Sequence, residues 1–199
     1  MATFLIDLPP DAMARRLRDA LDVYVDAMGY PRGTETQRHA IWLDHTHRRG
    51  WRAVAAVESD TCPGTLPAPD QLAGAPLLGV AYGYCGAPDQ WWHQQVVLGL
   101  RRRGLTEPAI TDLVTDYFEL TELHILPPAQ GRGLGEALAR RLLTGRTEAN
   151  VLLSTPEIHG EDNRAWRLYR RLGFGDVIRG HHFAGDPRAF AILGRRLPL

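Results

Sequence analysis

A mixed α/β fold, one central sheet with helices on both of its faces, is what this sequence predicts, and three observations predict it. Short apolar runs of strand character alternate with stretches of helical period. The 199 residues, 44% of them hydrophobic, are enough for one sizeable core. No internal repeat interrupts the pattern. The chain is therefore read as one domain, 1–199, of the α/β (α+β) class.

The elements follow in order. Residues 3–8 read as a short strand, ended by Pro9 and Pro10, with Asp11 placed to cap a helix. Leu17, Leu21, Tyr24, Val25 and Met28 then recur on one helical face up to Gly29. A second helix is expected from Thr34, where "TETQ" reads as a capping box between Thr34 and Gln37, to near Arg49 and Gly50. Residues 51–57 and 77–85 are strands joined by a long Pro- and Gly-rich loop. A helix over 89–103 stacks Trp92, Val96 and Leu100, and a shorter one begins near Pro108. A strand over 116–126 leads through a glycine stretch into a helix reaching about Thr144. Residues 150–156 are a strand, "EDNRAWRLYRRLG" is a helix stopped by Gly173, and "FGDVIR" and "RAFAILGRR" are two strands joined by "AGDP".

Charge and cysteine usage exclude some classes. Lys+Arg and Asp+Glu both number 23, so no global basic field recruits nucleic acid or an anionic membrane. Cys62 and Cys85 make no metal-ligand spacing and no disulfide framework, so both read as reduced thiols. "MATFLIDLPP" is too short and too acidic for a signal peptide, and no apolar run approaches the ~18 residues of a membrane span. The expectation is a soluble, cytoplasmic protein. His45 and His47, at i and i+2 of a helix, do not face each other, and with His181 and His182 they are not read as metal ligands.

"QGRGLG" carries Gly131, Gly133 and Gly135. Glycines tolerate positive φ, and such a turn feeding a helix offers free N–H groups to an anion, most simply a phosphate. A P-loop is excluded because the Lys-Ser/Thr pair is absent. A dinucleotide fingerprint fails because Leu138 stands where its third glycine would fall, counting from Gly133. The pyrophosphate of coenzyme A is the remaining reading.

The pattern Ile125-x-Pro127-x-x-Gln130-Gly131-x-Gly133-x-Gly135 resembles the acyl-CoA signature of the GNAT (general N-acetyltransferase) superfamily, V-x-P-x-x-[QR]-x-x-G-x-[GA]. Ala165-x-x-Leu168-Tyr169-x-x-Leu172-Gly173-Phe174 is similar to the family's second motif, and the two are separated by a helix and a strand. The resemblance spans the element order from about residue 51 to the C-terminus. It implies a GNAT fold: a mixed, mostly antiparallel sheet with a V-shaped splay between the motif strand and the next. It also implies that acetyl-CoA is the donor, with pantetheine running beside Leu123, His124 and Ile125. The pyrophosphate would then rest on backbone N–H groups of Gln130, Gly131, Arg132, Gly133, Leu134, Gly135 and Glu136, with the Arg132 side chain reaching a phosphate oxygen. The family often has Asn seven residues before the motif tyrosine; here Asp162 holds that place with Asn163 beside it. Either the helix start shifts by one residue or Asp162 caps the helix.

The implied reaction is direct transfer of an acetyl group to a primary amine, of a small molecule or of a protein, in a ternary complex without a metal. Tyr169 is the expected general acid. Glu119, six residues before Ile125, or Glu122, three before it, is the expected base, with a water chain or His124 otherwise serving. Trp91 and Trp92 are expected either to pack their helix or to wall an acceptor pocket. Family resemblance also makes a homodimer an expectation. The rival reading is a non-catalytic acyl-CoA-binding sensor of the same fold, and behind it an interaction protein that has lost the ligand.

Overall fold

The structure, a computed structural model, describes residues 1–60, 67–157, 161 and 163–199. The chain falls into two compact units, Met1–Tyr84 with Glu122–Leu142, and Cys85–Thr121 with Leu143–Leu199. Cys62 and Asp162 lie outside the described residues.

The first unit opens with β1 (Ala2–Asp7), α1 (Pro10–Arg15), α2 (Leu17–Met28) and α3 (Thr34–His45). β2 (Arg52–Ser59), α4 (Pro69–Gly74) and β3 (Leu77–Cys85) follow, and the unit regains the chain at the end of β4 (Tyr117–Ile125) and in α7 (Leu134–Leu143). Its strands run in the order β1-β2-β3-β4, and β1–β2 and β2–β3 are antiparallel. Alternation sets its core. Ala53, Ala55 and Val57 of β2 and Val80, Tyr82 and Tyr84 of β3 share one face and bury against Leu17, Leu21 and Tyr24 of α2 and Trp42 of α3. The opposite face meets α7: a side chain at Gly79 would lie 3.3 Å from Leu138 Cδ1. Helices thus cover both faces, and β3 is buried along its whole length.

Three local expectations change. The single first helix is two, because the backbone turns at Arg16, whose guanidinium reaches Ala73 O (2.5 Å) and Ala75 O (2.8 Å) at the end of α4. The capping box at Thr34 does not form. Gly33 takes the N-cap at φ 101°, its N–H donates to Glu35 Oε2 (2.8 Å), and the Thr34 hydroxyl donates to Pro31 O (2.7 Å). The long loop between β2 and β3 contains α4, started by Pro69, with Gln71 Oε1 accepting the Ala68 N–H (3.1 Å).

The second unit contains α5 (Trp91–Arg102), α6 (Glu107–Val114), the first part of β4, β5 (Asn150–Pro156), α8 (Arg164–Arg171), β6 (Gly175–His181) and β7 (Phe190–Arg196). Its strand order is β4-β5-β7-β6, with β5–β7 and β6–β7 antiparallel and β4–β5 parallel. The β4–β5 register runs from Tyr117–Asn150 to Glu119–Leu152, whereas β5 pairs with β7 as far as Pro156. Trp92, Val96 and Leu100 of α5 bury with Ile110 and Val114 of α6 and with Tyr117, Leu152, Ile178 and Ile192 of the four strands.

Candidate functional site

The acyl-CoA signature lies wholly in the first unit, at the end of β4 and the start of α7. Gly79 lets β3 press on that strand end: an added methyl would stand 2.4 Å from Ile125 Cδ1 and 2.9 Å from His124 O. The Leu126 N–H closes the strand onto Leu78 O at 2.9 Å. A single 3₁₀ turn, Pro127–Ala129, then swings the chain away, and Gln130 Nε2 ties it back to Ile125 O (3.1 Å).

Gly131 and Gly133 both sit at positive φ, 81° and 78°. That backbone costs an L side chain roughly 1–2 kcal/mol, which is why glycine stands there. A side chain at Gly133 would meet nothing within 4 Å, so this turn presents bare backbone to open space. α7 starts immediately after, with Ala137 N–H to Gly133 O (3.1 Å) as its first helical bond. The N–H groups of Leu134, Gly135 and Glu136 precede that bond and have no acceptor in the helix ladder, and the helix dipole adds to their pull on an anion. These residues fit a pyrophosphate. Two neighbouring side chains have partners within the unit. Arg132 binds Thr3 Oγ1 (2.7 Å) and lies 3.6 Å from Glu58 Oε1, and Glu136 pairs with Arg140 (2.8 Å) along α7.

Just before the signature, Glu122 Oε2 and His124 Nε2 are 2.5 Å apart. Their i, i+2 spacing on a strand puts them on one face. The His124 ring meets Tyr24 edge-on (centroids 5.0 Å) and lies near-parallel to Trp42 (6.4 Å, 22°). Burial, and secondly the Glu122 charge, hold the Tyr24 phenol above its ordinary range. The spacing of Glu122 and His124 was readable in sequence; their aromatic partners on α2 and α3 were not.

The remaining candidates lie in the second unit. Glu119 is 3% exposed, with Oε1 3.4 Å from Thr121 Oγ1. Tyr169 is buried on α8, its ring edge-on to Phe174 at 5.8 Å. Asn163 caps α8, its Oδ1 accepting the Trp166 N–H (3.0 Å), so the helix begins one residue later than the family spacing implies. Trp92 is packed in the core 6.0 Å from Tyr117, with Nε1 donating to Ser154 Oγ (3.3 Å). Trp91 is 52% exposed beside Phe183.

A seven-stranded mixed sheet whose motif strand ends in a positive-φ glycine turn is the architecture of an acyl-CoA-dependent acyltransferase. Comparison with known proteins agrees. The family model described as FR47-like protein matches residues 97–181. The chain is 72% identical to the GCN5-like protein acetyltransferase Rv2170 of Mycobacterium tuberculosis, over 100% of both chains. Among solved structures, it is similar to Arabidopsis thaliana NAA60 in complex with acetyl-CoA (15% identity, TM-score 0.60, 98% of this chain and 99% of that one). It is also similar to the phosphinothricin acetyltransferase of Sinorhizobium meliloti in complex with acetyl-CoA (17%, TM-score 0.59, 99% and 89%). The chain belongs to the GNAT superfamily and is an acetyltransferase. No helix among the described residues is long and apolar enough to cross a membrane.

Proposed function

We propose that the protein transfers the acetyl group of acetyl-CoA to a primary amine carried by a protein, by direct attack in a ternary complex. The observation that carries the donor half is the turn at Gly131 and Gly133, whose positive φ bares backbone at the start of α7. The acceptor half is supported by the 72% identical relative, which is named as a protein acetyltransferase. Pantetheine runs beside Leu123, His124 and Ile125, and the pyrophosphate rests on the N–H groups of Gly131 to Glu136, the Gln130 N–H being given to Pro127 O (3.3 Å). The Ile125 N–H is the donor proposed for the tetrahedral oxyanion. Tyr169 supplies the proton for the departing thiolate. Trp91, the exposed member of its pair, is the one left to meet an acceptor.

The test incubates the protein with acetyl-CoA and either a lysine-bearing peptide, a folded protein or spermidine, and reads acetylation by mass spectrometry. Acetyl groups on protein or peptide amines, far exceeding those on spermidine, are expected. Acetylation of spermidine alone overturns the acceptor. Calorimetry that shows acetyl-CoA binding, with no acceptor modified, replaces the enzyme by the sensor reading for this chain.

A further inference from the structure

We propose that Glu122 and His124 act as one proton-accepting pair, in which His124 Nδ1 takes the proton of the incoming ammonium and Glu122 holds the ring for it. The inference rests on the acetyl-transfer reading above and deepens it. A carboxylate only accepts hydrogen bonds, so the 2.5 Å contact with Glu122 Oε2 commits Nε2 to carrying the hydrogen. In the neutral ring the lone pair is then on Nδ1. This is how a carboxylate sets the tautomer and steadies the developing imidazolium in other acyl-transfer sites. The ring is held on its other sides as well, edge-on by Tyr24 and face-on by Trp42. His124 is adjacent in sequence to Ile125, whose backbone N–H faces the acyl transfer in the proposed site.

The protons balance as follows. The ammonium gives one proton to His124 Nδ1, and the freed nitrogen lone pair attacks the thioester carbon. The C–S bond breaks with its electron pair leaving on sulfur. Of the two protons left on nitrogen, one stays on the amide and the other replaces the proton that Tyr169 gives to the thiolate, and His124 returns its own to solvent. Glu122 keeps its contact with Nε2 throughout and acts as a positioning residue. The titratable groups against the ring are Glu122 on β4 and Tyr24 on α2; on the elements packed there, Tyr30 and Arg38 act on Tyr24, and Asp44, Arg48 and Arg38 act on His45 of α3, which meets Tyr82 of β3. Tyr24 is held protonated, so the pair stands beside no competing phenolate.

The experiment measures kcat and both KM values for the parent, His124→Gln and Glu122→Gln from pH 7 to 10, with a lysine peptide as acceptor. His124→Gln is expected to lower kcat about 100-fold at pH 7 with acetyl-CoA KM within about twofold. The deficit should shrink toward pH 10, because the lysine amine, of ordinary pKa about 10.4, then arrives without its extra proton. Glu122→Gln still accepts the Nε2–H but offers no charge, and should show the same trend with a loss of roughly tenfold. A loss independent of pH, or one expressed in acetyl-CoA KM, overturns the proposal and makes the ring structural; so does a parent-like profile in both variants. Should His124→Gln not fold, by circular dichroism, the Glu122→Gln profile decides alone. Failure of the parent itself to bind acetyl-CoA would sink the acetyl-transfer reading, a result separate from parent-like variants in an active enzyme.

Discussion

His45 sits on α3 with Nδ1 3.0 Å from the Tyr82 hydroxyl, and burial first, with the Arg48 charge second, brings its pKa from 6.5 to about 4. The folded protein therefore binds this proton more weakly than the unfolded chain. Its contribution to stability is complete above pH 6.5 and is lost as the pH falls from there toward 4. The loss is at most about 3 kcal/mol, at 1.36 kcal/mol per unit. His93 and His181 are also lowered by burial and share the direction. Chemical denaturation at pH 7 and pH 4.5 should show His45→Gln losing less stability between the two than the parent; an equal loss would place the effect elsewhere. At this scale the sequence was informative where a residue's chemistry and its neighbours along the chain suffice. Gly131 and Gly133 announced their positive φ, and Glu122 and His124 their common strand face. What it could not show was that Tyr24 and Trp42, some 80 to 100 positions earlier, would close on His124. That meeting is made by packing between α2, α3 and the sheet, which no local pattern encodes.

In the proposed binding mode, the turn into α7 sets the affinity for acetyl-CoA. Gly133→Ala adds a methyl that meets nothing, so its cost to the fold is the backbone strain alone, roughly 1 kcal/mol, or about 2–4 °C in Tm. The same methyl would occupy the space assigned to the pyrophosphate. Calorimetry should show acetyl-CoA affinity reduced at least about tenfold while acetyl-pantetheine, which has no pyrophosphate, binds as to the parent. Equal weakening of both would mean the turn is damaged as a whole. Most elements were legible because periodicity and Gly or Pro punctuation agreed, as at Gly29 and Gly173, where positive φ ends the helices. α4 was missed because six residues with no buried side chain carry no apolar stripe; only Pro69 and Gln71 marked it. The break at Arg16 was missed because the contacts made there, a guanidinium on the carbonyls of Ala73 in α4 and of Ala75 just after it, are tertiary.

For the molecule as a whole, buried clusters matter more than any one contact, and two of those among the described residues fall one in each unit. Leu21 belongs to the first and Leu100 to the second, and both are 0% exposed. Each Leu→Ala change should cost about 2–5 kcal/mol. Hydrogen exchange should localise the damage. Leu21→Ala is expected to raise exchange chiefly in Met1–Tyr84, and Leu100→Ala chiefly in Cys85–Thr121 and Leu143–Leu199. Uniform acceleration by either variant would mean the clusters open together. The fold class was legible because element order alone restricts the topologies, and the motif strand was found by its glycines. The partition of the core was not, since hydrophobic spacing identifies what is buried and not with whom.

The tethering of Arg132 to Thr3 and of Arg141 to Asp7 (3.0 Å) has a consequence for how the protein keeps company with its own kind. Among the described residues β1 pairs with β2 alone, so its outer row of amides is a template on which another chain could add a strand. Both arginines come from the α7 region and stand at the two ends of that strand. The segment that carries the glycine turn thereby also places charge at the sheet's edge, a feature that disfavours strand addition there.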